Sequence, residues 1–161
     1  MRPPARRLTV DRQAEAVYDF EDRFPWANHN NATLAQCRDI IRAACAAYGV
    51  LPPTVVQHRK RAMSWCIPAR RRISLQAIGP GNKGGKNAAT ALHEAAHQIV
   101  FDLCGNRVDD HGPTFCGVFF HLLTMAGWPA SAIRAVAKEH GVRWVERPPS
   151  YWHRLKRHRR S

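Results

Sequence analysis

No C-x-x-C pair occurs anywhere in this chain of 161 residues. Its five cysteines, Cys37, Cys45, Cys66, Cys104 and Cys116, are scattered and odd in number. That excludes a zinc ribbon built on cysteine pairs, argues against a disulfide scaffold and points to a reducing compartment. No stretch of about twenty apolar residues is available to cross a bilayer. Residues 1–8 are basic and proline-rich with no apolar run after them, so no secretory signal is read. The glycine-rich loop Gly79 to Lys86 lacks the spacing of a phosphate loop, which removes nucleotide binding. Acids are scarce: 12 Asp and Glu stand against 25 Lys and Arg, for a formal net charge of +13. Such an excess predicts attraction to polyanions.

What is present is concentrated in Ala91-Leu92-His93-Glu94-Ala95-Ala96-His97-Gln98-Ile99-Val100, which contains H-E-x-x-H. On a helix, residues four apart share a face, so His93 and His97 present two imidazole nitrogens to one metal ion. Glu94, one position along, is placed to act as a general base on water. Ala88, Ala89, Ala91, Leu92, Ala95 and Ala96 are strong helix formers. Asn87 or Thr90 can cap the start, and Gly105 stands where a C-terminal glycine belongs.

A catalytic zinc takes three protein ligands and keeps one position open. The candidate for the third is His111. Pro113 suits the first turn of a following helix, and Phe115, Val118, Phe119, Leu122 and Leu123 recur at helical spacing. The loop from Cys104 to Asp110 would fold this helix back against the first. Glu139, at the end of a later helix, is the alternative ligand, and Cys104 and Cys116 flank the site. The metzincin pattern is excluded, because Val100 and Leu103 occupy its glycine and histidine positions.

His93-Glu94-Ala95-Ala96-His97, a short turn, and then His111-Gly112-Pro113-Thr114-Phe115-Cys116 resemble the SprT-like zinc metalloproteases, which include the Spartan DNA-dependent proteases. The resemblance is carried by Leu92 to Leu123 and extends more loosely over Thr33 to Gly141. It implies a zincin-like fold, with His93, His97 and His111 as ligands of one zinc and Glu94 as general base. It also implies peptide-bond hydrolysis, in several members on proteins bound to DNA. Small proteins resembling this family occur in bacteria and their phages. Many relatives add a cysteine-based zinc ribbon or a separate DNA-binding module, and this chain has no counterpart of either.

Thr9 to Phe24 reads as an amphipathic helix in which no chemistry is found. Thr33 to Tyr48 is a second, capped by Asn31 or Thr33 and stopped by Gly49. Three short strands follow, Thr54 to His58, Ala62 to Ile67 and Arg72 to Ile78, read as a meander. Arg59-Lys60-Arg61 and Arg70-Arg71-Arg72 fall at its turns, and an edge strand of such a sheet can pair with an extended peptide. Asp102, Asp109 or Asp110 is expected to orient a ligand histidine. A last helix runs from Ala130 to His140. The tail, Val142 to Ser161, sets seven Lys and Arg against Glu146 and interleaves Trp144, Tyr151 and Trp152. That pattern suits a nucleic-acid strand, with Arg154, Lys156, Arg157, Arg159 and Arg160 as candidate contacts.

The expectation is one α+β domain over 9–141, between a basic arm at 1–8 and a tail at 142–161. It is zincin-like, with a three-stranded antiparallel sheet beside the active-site helix. It takes one catalytic Zn2+ and a protein or peptide substrate in the cytoplasm, with single- or double-stranded DNA as a further partner and no membrane. Two readings compete with a protease acting at DNA. One is a regulatory protease with a repressor-like target independent of DNA. The other is a DNA-binding or structural protein whose metal site only supports the fold.

Overall fold

The computed structural model describes residues 11, 13–23, 32–58, 63–76 and 87–149. In chain order the elements are α1 (Ala14–Arg23), α2 (Leu34–Ala47), β1 (Thr54–His58), β2 (Trp65–Ile67), a 3-10 turn (Pro68–Arg70), β3 (Arg72–Gln76), α3 (Ala88–Cys104), a second 3-10 turn (Gly105–Arg107), α4 (Pro113–Met125) and α5 (Ala130–Glu139). The class is α+β. Among the described residues no helix is long and apolar enough to cross a membrane. The basic arm, the Gly79 to Lys86 loop, Arg59-Lys60-Arg61 and all five candidate nucleic-acid contacts from Arg154 to Arg160 lie outside the described residues.

α2, α4 and the sheet are packed around α3. Ala89, Ala91, Leu92, Ala95, Ala96, Ile99 and Val100 are all buried, and the four alanines among them let these neighbours approach closely on several sides. The Asn87 side chain accepts from the Thr90 amide at 2.7 Å and so caps the first turn. Gly105, at φ +67°, stops the helix in a conformation that costs other residues more. In α2, Thr33 and Gln36 form a reciprocal capping box. Cys37, Ile41, Ala44 and Cys45 then face α3 from one stripe.

The sheet corrects the expected antiparallel meander. Its order is β1-β3-β2. β1 runs parallel to β3, with Thr54 opposite Arg72 and His58 opposite Gln76. β2 runs antiparallel, with Trp65 opposite Ser74. β3 takes the centre because Ile73, Ser74 and Leu75 are all buried, on both faces. The two apolar residues point toward α3, while Ser74 is covered on the far side by His58, whose Nδ1 lies 2.8 Å from the Ser74 hydroxyl. A strand buried on two faces belongs inside a sheet, and β2, with Trp65 exposed, belongs at the edge. The reversal into β3 passes through Arg71, at φ +48°. The Arg71 guanidinium is half-exposed but held, bonding both Asp102 oxygens at 2.9 and 3.0 Å and the Leu51 carbonyl.

Two contacts close the domain over α4. Val17 and Phe20 of α1 are fully buried, and the Phe20 ring meets Phe120 at 5.0 Å. Burying two such side chains stabilises the docked helix by about 1.5–3 kcal/mol each. On the other side the segment after α5 returns along α4. Val142 is buried, and the Val145 amide donates to the Pro113 carbonyl at 3.0 Å. The approach needs Gly117, where a Cβ would lie 2.5 Å from a Val145 methyl and 2.6 Å from its carbonyl oxygen. Gly117→Ala therefore pushes the segment off α4, at a cost of about 1–3 kcal/mol. Thermal unfolding should show a lower Tm for this variant. An unchanged Tm would mean the segment is not packed as described.

Candidate metal centre

His93 and His97 lie one turn apart on α3, and His111 sits just before α4, where the turn through Gly105–Arg107 folds the chain back. These three are the group among the described residues able to hold a metal ion, with their ligand nitrogens all within 4.8 Å of one another. His97 Nε2 is 3.1 Å from His93 Nε2, and His111 Nε2 is 3.2 Å from it. A tetrahedral zinc with Zn–N bonds of about 2.0–2.1 Å sets its nitrogens about 3.3 Å apart. The donor set fits the ion in identity and in spacing.

The opposite edges of two rings are fixed by α1 and by the residue Asp11 ahead of it. His93 Nδ1 is 2.7 Å from a Glu21 oxygen, and His111 Nδ1 is bonded to Asp11. An ionised carboxylate only accepts, so the hydrogen of each neutral ring sits on Nδ1 and the lone pair on Nε2. Once His93 has also given up its second hydrogen, two bare lone pairs face each other at 3.2 Å, an arrangement satisfied by a shared cation. The carboxylates also fix ring orientation and strengthen the imidazoles as ligands.

Here α1 corrects two expectations. The segment assigned no chemistry supplies both orienting acids. None of the three aspartates singled out for that task takes it: Asp102 is turned to Arg71 and Gln98, and Asp109 packs beside Gly112. Gln13 fastens the start of α1 to the site, its amide donating to the His111 carbonyl at 2.7 Å and the Arg143 carbonyl at 3.0 Å. The alternative ligand Glu139 is exposed at the end of α5, outside the cluster. Cys116 is buried, with its sulfur 3.6 Å from the His111 carbonyl, and belongs to the packing behind the site.

The surroundings are apolar and aromatic. Phe115 stacks on His97 with centroids 4.5 Å apart, and Phe119 meets His93 edge-on at 5.4 Å. Tyr18 of α1 lies against His93 at 6.3 Å and His111 at 5.0 Å. It is 37% exposed, against 6% for His93 and for His111. Burial and then the charges of Glu21, Glu94, Asp11 and Asp110 push the Tyr18 phenol up to about 12.

Before any cation binds, the three imidazoles differ sharply. Burial alone would lower the His93 pKa, but the Glu21 carboxylate reverses this and holds it up to about 9. Burial and the His93 charge hold His111 below the usual range. Burial, with both neighbouring histidines, holds His97 well below it. Glu94 is buried in the same wall. Burial pushes its carboxyl up to about 7, the His93 charge opposing and Glu21 assisting.

The chain matches no protein-family model, and no curated protein or solved structure matches it either.

Two outcomes are expected of this geometry. Glu21→Ala and Asp11→Ala should each weaken zinc binding by roughly 10–100-fold in chelator competition, with the helical signal retained. Asp110→Ala should leave it unchanged. Equal affinities for all three would remove α1 from the site. Second, binding must expel the His93 proton, so affinity should climb about tenfold per pH unit while that proton is present and flatten above about 9. Affinity independent of pH between 6 and 8 would contradict this assignment of the proton.

Proposed function

We propose that this chain is a zinc-dependent peptidase with a zincin-like arrangement, similar to the SprT-like metalloproteases its motifs resemble. The observation that carries the reading is the convergence of three Nε2 atoms beside a buried glutamate. An all-imidazole set with one position left for water is the donor set of hydrolytic zinc sites. When bound, zinc would polarise the scissile carbonyl and make water nucleophilic at neutral pH.

The remaining work falls to the chain. Glu94 takes the proton of the attacking water and passes it to the leaving amine. Its burial keeps that carboxyl basic enough for the first transfer and acidic enough for the second. Phe115 and Phe119 keep bulk water from the rings. Glu21 and Asp11 keep His93 and His111 from turning. The peptide is accommodated along β2, the antiparallel edge strand, which pairs on one side with β3 and with no other strand among the described residues. Cys66 of β2 is near enough to Glu94 for that carboxylate to contribute, after burial, to raising the Cys66 thiol. An extended substrate laid on β2 would therefore pass beside the base, held by main-chain hydrogen bonds.

Association with DNA is the wider part of the proposal. It is supported by the net charge of +13 and by Arg70 and Arg72, both exposed where the chain turns into β3. A regulatory peptidase indifferent to DNA differs from it in one observable, stimulation by DNA.

Glu94→Gln should retain zinc and lose hydrolysis of a generic protein such as casein by roughly 10²–10⁴-fold. Full activity in that variant would place the chemistry elsewhere. A zinc-loaded wild type with no hydrolysis on any protein, with or without DNA, would favour a structural metal. Single- or double-stranded DNA should accelerate cleavage, and truncation after Pro149 should remove the effect. The cut belongs there and not at Val142, which is part of the core. Rates unmoved by DNA or by truncation would leave the DNA-independent reading.

A further inference from the structure

Hydrolysis of a peptide bond places negative charge on the carbonyl oxygen as water adds. A hydrogen-bond donor aimed at that oxygen lowers the barrier by stabilising the charge where it appears. Most donors around the three histidines are committed. Gln13 donates to the His111 and Arg143 carbonyls. Gln98 donates to Asp102 at 3.1 Å and to the Pro68 carbonyl at 3.4 Å.

Tyr18 is placed differently. Its ring lies nearly parallel to His93, with an interplanar angle of 17°, and meets His111 edge-on at 62°. It therefore lies against the two ligands that Glu21 and Asp11 orient. It projects from the same face of α1 as Glu21, three residues on, so one docked helix fixes both side chains. At 37% it is exposed, where the His93 and His111 rings it lies against are buried. Among the described residues its hydroxyl makes no hydrogen bond. A phenol is an O–H at neutral pH, and the ring of carboxylates described above keeps it one. A rigid donor without a partner, on the open side of two ligand rings, has the form of a group that waits for substrate.

We propose that Tyr18 is a catalytic residue that donates its hydroxyl hydrogen to the scissile carbonyl oxygen as that oxygen gains negative charge. The inference rests on the peptidase reading above. No covalent bond to Tyr18 forms and its proton is not transferred. The hydrogen bond strengthens as the carbonyl becomes tetrahedral and relaxes when the amine leaves. Its contribution lies in turnover and not in ground-state binding.

The test compares wild type, Tyr18→Phe and Glu94→Gln, each loaded with zinc. Phenylalanine keeps the ring against His93 and His111 and removes only the hydroxyl, so zinc content and Tm should match the wild type. Turnover of casein should fall by about 10²–10³-fold, with KM changed little. Independently of turnover, acetohydroxamate presents an anionic oxygen to the site, and calorimetry should find its binding weakened about tenfold in Tyr18→Phe. Unchanged hydroxamate affinity and unchanged turnover in Tyr18→Phe, with Glu94→Gln inactive, overturn the role of Tyr18 and leave the peptidase reading standing. Loss of zinc or of Tm in Tyr18→Phe makes the residue structural and also overturns it. A zinc-loaded wild type that binds no hydroxamate, or a fully active Glu94→Gln, overturns the peptidase reading and this inference with it.

Discussion

A buried imidazole that gives its Nδ1 hydrogen to a carboxylate is left with a bare lone pair on the other side. This chain makes two such rings, on His93 and His111, turns their Nε2 atoms toward each other and adds His97 beside them. Before metal binds, the cluster keeps an extra proton on His93, held there by Glu21, while burial keeps His97 and His111 neutral. A shared cation would replace that proton and take the lone pairs of all three rings. The rest of the molecule can be understood as the apparatus that holds this arrangement. α3 is lined with alanines so that its histidines sit deep, α4 starts late enough to leave His111 at its mouth, and α1 and the residues just ahead of it supply the acids.

The role of α1 follows from where its partners lie in the chain. Glu21 meets a residue 72 positions away and Asp11 one 100 positions away. Its own docking rests on Val17 and Phe20 in the core and on the bonds of Gln13. A helix that brings one orienting carboxylate and a phenol to the site, with the second carboxylate just ahead of its first turn, is more than a packing element. It completes the coordination environment that the motif helix begins.

The central part of this was legible in the sequence, because the chemistry there is local. Two histidines four apart on an alanine-rich helix define a face by periodicity alone. Pro113 marks the start of the next helix, and Thr33 and Asn87 cap where their side chains predict. What was not legible depends on distant contacts. The acids at Glu21 and Asp11 look like any charges beside an amphipathic stripe until the fold sets them against a ring. The faint signal was an acid and a tyrosine at the border of that stripe instead of opposite it. The sheet order was hidden for a related reason. β3 alternates as a half-buried strand should, yet Ser74 is buried too, beneath His58, and β3 lies between a parallel β1 and an antiparallel β2. Arg71 reads as a solvated turn residue, yet it is held by Asp102 from a helix 31 positions on.

The central claim is that three imidazoles, two of them held by Asp11 and Glu21, form an open zinc site. The measurement that meets it most directly is zinc K-edge X-ray absorption on the reconstituted full chain, with metal content determined on the same sample. The account predicts one zinc per chain, three imidazole nitrogens at about 2.0–2.1 Å and one further light ligand, with no sulfur. A chain that takes up no zinc, or a zinc that carries a thiolate, would contradict it.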